Sequence, residues 1–568
     1  MKMPRPMIAI AAALLASVPA AALAAPNWQS FVDETLESFF RIEPSNAVNL
    51  GRHEFDGKLP DWSDAGLKAE IAFFKDVQAK AKTFDDRSLT PEQRLERDYL
   101  IVMMSGLQFW MEDADQPHTN PAYYLNWISP SIYATRPYAP PAERMKAMTI
   151  WADNVPAAIA NIRRNLKTPM PVSFVDYGVS AYGGFAEYLS GPDARAPFAE
   201  VKDAAAKAKF EASLTKAAAA FKGLSDWIES QRATANKTGF VLGADRFARM
   251  LKATELVDTP LDELERIGRA DLARNQAALK DACAQYAPRQ TIEACMAKVN
   301  ADKPQGGPVE GARAQLAGLK QFIIDRKLVT VPGTEEALVD EAPAYNRQNF
   351  AYIEIPGPYE KGLPSTYYIA PPDPSWSKEV QDGFVPGKAD LLFTSVHEVW
   401  PGHFLQFLHA NRVKSKVGRV FVGYAYAEGW GHYTEEMMWE AGLDAGSPET
   451  HIGQLSNALL RNCRYLSAIG LHARGMTQEQ SYDMFRTQCY QDEGNARQQA
   501  ARGTYDPAYL NYTLGKLMIR KLREDWTASR GGQKAWRDFH DACLSFGGPP
   551  IPLVRQSMLG EEKPKSAF

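Results

Sequence analysis

Apolar residues recur at helical spacing through most of the first 340 positions. Across residues 27–41, Trp28, Phe31, Val32, Leu36, Phe39 and Phe40 fall on one face of a 3.6-residue repeat. Thr90-Pro91-Glu92 places a capping side chain before a proline at the first helical position, and Leu95, Tyr99, Leu100, Val102 and Met103 continue that helix. Residues 140–166, 196–232, 260–286 and 311–327 carry the same rhythm. The period then changes. Tyr352-Ile353-Glu354-Ile355 and Thr366-Tyr367-Tyr368-Ile369 are β-rich runs separated by proline and glycine, which predicts a hairpin or small sheet. Pro371-Pro372-Asp373-Pro374 reads as a rigid turn and not a domain linker. The prediction is a mainly α chain. Residues 25–340 form a helical scaffold half, residues 341–568 carry the chemistry, and the two pack as one body across a deep cleft.

Residues 1–24 read as a cleavable signal peptide. Lys2 and Arg5 precede a short Ala/Leu/Ile run, and Ala22-Leu23-Ala24 is an A-x-A cleavage site. The run is too short and too rich in alanine to span a bilayer well, and no later segment is apolar without interruption, so no membrane insertion is expected. This predicts a periplasmic or secreted protein. The net charge of −4 over 568 residues gives no reason to expect nucleic acid or an anionic membrane as partner.

The five cysteines contain no C-x-x-C pair, which argues against a thiolate zinc site. In an oxidising compartment Cys283 with Cys295 is the first choice for a disulfide and Cys463 with Cys489 the second, leaving one thiol over.

His397-Glu398-Val399-Trp400-Pro401-Gly402-His403 concentrates the chemistry. Two imidazoles can hold a divalent metal, and an adjacent glutamate can take a proton from the water that metal polarises. The spacing is irregular. On a straight helix, residues six apart diverge by roughly 120°, so the histidines could not share an ion. Pro401 removes a helical hydrogen bond and Gly402 adopts angles other residues avoid, so a kink there can bring His403 back beside His397. A third ligand is expected from Glu428, His432 or Glu435, which share one helix face at i, i+4 and i+7. The remaining two would then orient the ligands by hydrogen bonds. A solvated charged face is the plainer reading of such a cluster, but Tyr, Trp and Met flank it.

The pair H-E-x-x-P-G-H and E-G-W-x-x-Y-x-E resembles the bacterial DUF885 family, itself similar to a divergent branch of the helical glutamate-zincin peptidases. The resemblance implies His397, His403 and Glu428 as ligands of one Zn2+ per chain, Glu398 as general base and Glu435 as a supporting carboxylate. His432 stands where the family usually has an apolar residue. Arg464 and His472 lie in a stretch similar to the family's R-x-x-x-D-x-G-x-H, with Ala468 in place of the aspartate; Tyr512 lies in one similar to P-x-x-x-x-Y-x-x-G.

Tyr512 and His472 are candidates to stabilise the oxyanion of an attacked carbonyl. Packing accounts for either equally well. Arg464 and Tyr367 are candidates to contact substrate, with a salt bridge and a structural hairpin as their plainer alternatives. The expectation is a zinc hydrolase acting on short peptides; the alternatives are a zinc amidase or esterase, or an inactive peptide binder of the same fold.

Overall fold

The computed structural model describes residues 27–343, 347, 350–372, 376–566 and 568. The expected signal peptide at residues 1–24 and part of the 371–374 turn lie outside them.

Local signals set most helix ends. Helix α1 (Trp28–Ile42) starts at Asn27, whose side chain accepts from the Ser30 amide, and buries Phe31, Val32, Leu36, Phe39 and Phe40. Helix α2 (Pro91–Gln108) opens with a reciprocal capping box between Thr90 and Gln93. Helices α3 (Pro141–Asn165) and α4 (Val172–Ser190) follow. The continuous helix expected over 196–232 is divided. A 3-10 turn occupies Ala196–Phe198, and α5 (Ala204–Ser230) begins only where the Asp203 side chain caps it. Helices α6 (Leu261–Tyr286) and α7 (Pro308–Asp325) match the remaining periodic runs.

The small sheet has three strands, β1 (Ala337–Glu341), β2 (Ala351–Glu354) and β3 (Ser365–Ile369), in the order β1-β3-β2. The two predicted runs pair antiparallel as β2 and β3, and β1 adds a parallel partner that the sequence reading did not include. Among the further helices of the site half are α8 (Lys388–Glu398), α9 (His403–Ala410), α10 (Tyr424–Glu440), α11 (Pro448–Ala473), α12 (Glu493–Tyr505) and α13 (Asn511–Thr527).

Two apolar cores lie side by side. One gathers residues from Trp28 to Ile228, built on α1–α5, together with Val417, Val420, Phe421 and Leu553. The other runs from Phe247 to Val554 and also takes in Phe109 and Ala114. Helices α6 and α7, placed with the scaffold half in the sequence reading, bury their apolar faces against the site half: α6 lies along α11, and α7 against α8 and β1. Disulfides join Cys283 to Cys295 and Cys463 to Cys489, as the sequence suggested; Cys543 is free and buried. Between the cores runs a cleft of about 2490 Å³, reached by Glu70 and Trp127 from one side and by His397 and Tyr512 from the other. No helix among the described residues is long and apolar enough to cross a membrane.

Candidate metal centre

The irregular spacing is resolved by ending one helix and starting another. α8 stops at Glu398, a four-residue joint follows, and α9 begins at His403. The joint contains a cis peptide between Trp400 and Pro401. Gly402 donates its amide to the Val396 carbonyl at 2.9 Å, folding the joint back onto α8. A Cβ on Gly402 would stand 1.7 Å from the His397 carbonyl oxygen, so only glycine fits this return. Trp430 on α10 pins the same joint by donating its indole N–H to the Pro401 carbonyl at 2.9 Å. The two imidazoles end up nearly perpendicular, with ring centres 4.7 Å apart.

Glu428 on α10 meets both. Its Oε2 is 3.3 Å from Nε2 of His397 and 3.3 Å from Nε2 of His403. Two ligands on a tetrahedral ion, each at about 2.0–2.2 Å, stand about 3.3–3.6 Å apart. One donor atom from each of the three residues lies within 4.8 Å of the others. The donor set, its spacing and its N/N/O chemistry fit a divalent metal such as zinc. α10 comes this close because residue 431 is glycine: a Cβ there would be 2.7 Å from the His397 ring.

Both imidazoles are held with Nε2 toward Glu428. His397 Nδ1–H donates to Glu435 at 2.7 Å, and His403 Nδ1–H faces the Gln406 side-chain oxygen at 3.4 Å. Fixing the second ring nitrogen sets which nitrogen can ligate. Glu435 is fully buried, 3.1 Å from Arg461 and 3.3 Å from His432. Burial opposes its charge, but Arg461, His432 and His397 outweigh it and hold the carboxyl well below the usual range. Burial and Arg461 push His397 down, Glu428 and Glu435 push it up, and the balance is about 9. Burial leaves His432 at about 4, a neutral ring beneath Glu435.

The structure brings most of the expected residues to this place. Glu398 lines the cleft at the end of α8. Tyr512 packs its ring almost parallel to His397 at 6.2 Å, and its hydroxyl lies 3.4 Å from Arg502. Arg464 lines the same wall. Two expectations change. His472 is three turns of α11 beyond Arg461, ~16 Å at about 1.5 Å per residue. It is fully buried, stacks on Phe247 and donates to the Gly503 carbonyl at 2.7 Å, which makes it a packed core histidine. Tyr367 is also fully buried, and burial and then the neighbouring Glu398 push its phenol up; it lies behind Glu398 and does not line the cleft. Arg461, which clamps Glu435, was not singled out in the sequence. Its signal is its place one helical turn before Arg464 on a helix buried nearly all round.

A family model for "Bacterial protein of unknown function (DUF885)" matches residues 44–558. No curated protein matches the chain. Two solved structures share the fold. One is a candidate lipoprotein of unknown function from Shewanella oneidensis, 24% identical with a TM-score of 0.77, the match covering 94% of this chain and 100% of the other. A candidate lipoprotein from Colwellia psychrerythraea is 17% identical with a TM-score of 0.78, covering 94% and 98%.

Proposed function

The chain belongs to the DUF885 family, and we propose that it is an exported zinc-dependent peptidase acting on short peptides. The observation that carries this reading is the convergence of His397, His403 and Glu428 beside Glu398 on the floor of the cleft. Zinc held by these three side chains would polarise a water and the substrate carbonyl. Glu398 would accept the proton of the attacking water and return it to the leaving amine. Tyr512, whose ring lies over His397, would donate its hydroxyl to the oxyanion. Peptide substrates are favoured by β2, an outer strand of the sheet whose residues 351–355 line the cleft. An extended chain can pair with such an edge. Two disulfides, a signal-peptide-like start and lipoprotein-like relatives support export.

The test is metal analysis of the purified protein, then mass spectrometry of a peptide library after incubation. One zinc per chain and defined cleavage products are expected. No bound metal, or an untouched library with zinc bound, would overturn the reading.

A further inference from the structure

Three guanidinium groups surround the Tyr512 ring: Arg464 at 4.7 Å from its centre, Arg461 and Arg502 each at 5.7 Å. Two of them have a carboxylate of their own. Arg461 pairs with Glu435 at 3.1 Å and Arg502 with Asp506 at 3.0 Å. Arg464 has none among the described residues. Its Nε donates to the Gln499 side-chain oxygen at 2.8 Å, and that is its one hydrogen bond among the described residues. Yet Arg464 is only 8% exposed. Burial, followed by repulsion from Arg502, depresses its guanidinium to about 10. A nearly buried cation without a counter-ion is costly, and proteins keep such charges paired. What remains open at Arg464 is the terminal fork, on the wall of the cleft.

Resting on the peptidase reading above, we propose that Arg464 anchors the free C-terminal carboxylate of the substrate, making the protein a carboxypeptidase-type enzyme that removes short C-terminal fragments. A guanidinium fork and a carboxylate match in a bidentate pair, which is stronger than a neutral hydrogen bond. Inside the cleft that pair would give Arg464 the anion the fold withholds. Distance sets the fragment size. The guanidinium is 4.7 Å from the Tyr512 ring, and that ring is 6.2 Å from His397. The two steps together cover about three extended residues at ~3.3–3.6 Å each, so the scissile bond falls within about three residues of the carboxylate. Arg502 and Arg461, already neutralised, hold the Tyr512 platform.

The test uses one six-residue peptide in two forms, with a free C-terminal carboxylate and with a C-terminal amide. Binding is measured by calorimetry on zinc-loaded Glu398→Gln protein, and cleavage by mass spectrometry on the parent. The acid is expected to bind about 10- to 100-fold tighter than the amide, and fragments of one to three residues should leave from its C-terminal end. Arg464→Gln should bring the acid-to-amide ratio to about one. Arg464→Lys, which keeps the charge and loses the fork, should fall between. Equal binding of the two forms, or a preference that survives Arg464→Gln in a folded variant, overturns the proposal. A preference that depends on Arg464 without cleavage of either peptide supports the anchor and sinks the peptidase reading. Internal cleavage of both forms at equal rates does the reverse.

Discussion

Glu435 and Glu436 are neighbours in sequence, both buried, and they face opposite charge clusters. Glu436 looks toward α6 and α13. There Lys516 lies 2.6 Å from Asp271 and 3.3 Å from Glu436, with Arg274 and Arg520 each 2.9 Å from Glu436. Each carboxylate meets a permanent cation, and Lys516 is fully buried. Glu435 looks toward the cleft, where its partners are imidazoles and Arg461. The first cluster is closed and neutralised from within. The second ends in three ligand-type atoms open to a cavity. The same helix thus carries a structural ion knot on one side and a candidate reactive centre on the other, and what separates them is whether fixed charges close the set.

Replacing members of each cluster tests that distinction. His397→Ala should drop bound zinc from about one per chain to near zero and abolish turnover while the protein stays folded; elemental analysis and circular dichroism check both. Glu398→Gln should keep the metal and lose about 10²–10⁴-fold in turnover; parental rates on peptides would remove Glu398 as the base. Lys516→Met should act the other way round. It leaves Asp271 and Glu436 short of a buried cation and should cost about 3–5 kcal/mol in denaturant unfolding, with the zinc content of the folded protein unchanged. Loss of zinc from the folded variant would mean the two clusters are one system. Glu435→Gln should weaken zinc affinity about 10- to 100-fold in a chelator competition, since it orients His397.

The smallest effect is in pH. Burial opposes the charges on Asp271 and Glu436, but Lys516 and the arginines hold both carboxyls below their ordinary values. Depressed folded values mean that the unfolded chain binds protons first as pH falls. The stability they contribute is therefore complete above about pH 4–4.5 and is lost progressively below it. Lys516→Met should move the acid unfolding midpoint to higher pH; an unmoved midpoint would show that the knot does not govern acid stability.

The sequence announced its local features better than its distant ones. The helix over 27–41, the cap at Thr90 and the β-runs at 352–355 and 366–369 depend on neighbours along the chain, and all appear where the pattern put them. The candidate metal motif was legible because the Pro401-Gly402 pair advertises the break that its spacing needs. Choosing among Glu428, His432 and Glu435 required the resemblance, since all three share a face; burial then sorts them, with Glu428 at the cleft and the other two beneath. The Asp271–Lys516 pair joins residues 245 positions apart and leaves no local trace. His472 misled because a histidine looks alike in sequence whether it faces a cavity or stacks on Phe247. What α6 and α7 pack against was equally hidden, because their periodicity tells that a face is apolar and not what covers it.

The four-residue joint between α8 and α9 has a further consequence. His397 and Glu398 sit together at the end of α8, whereas His403 arrives on a separate support. On the proposed reading, drift in α9 would be felt first as poorer ion retention, while Glu398 would keep its station. Ion preference and reactivity would then be tuned separately, the first by altering how α9 seats its histidine, the second by altering what surrounds the tip of α8.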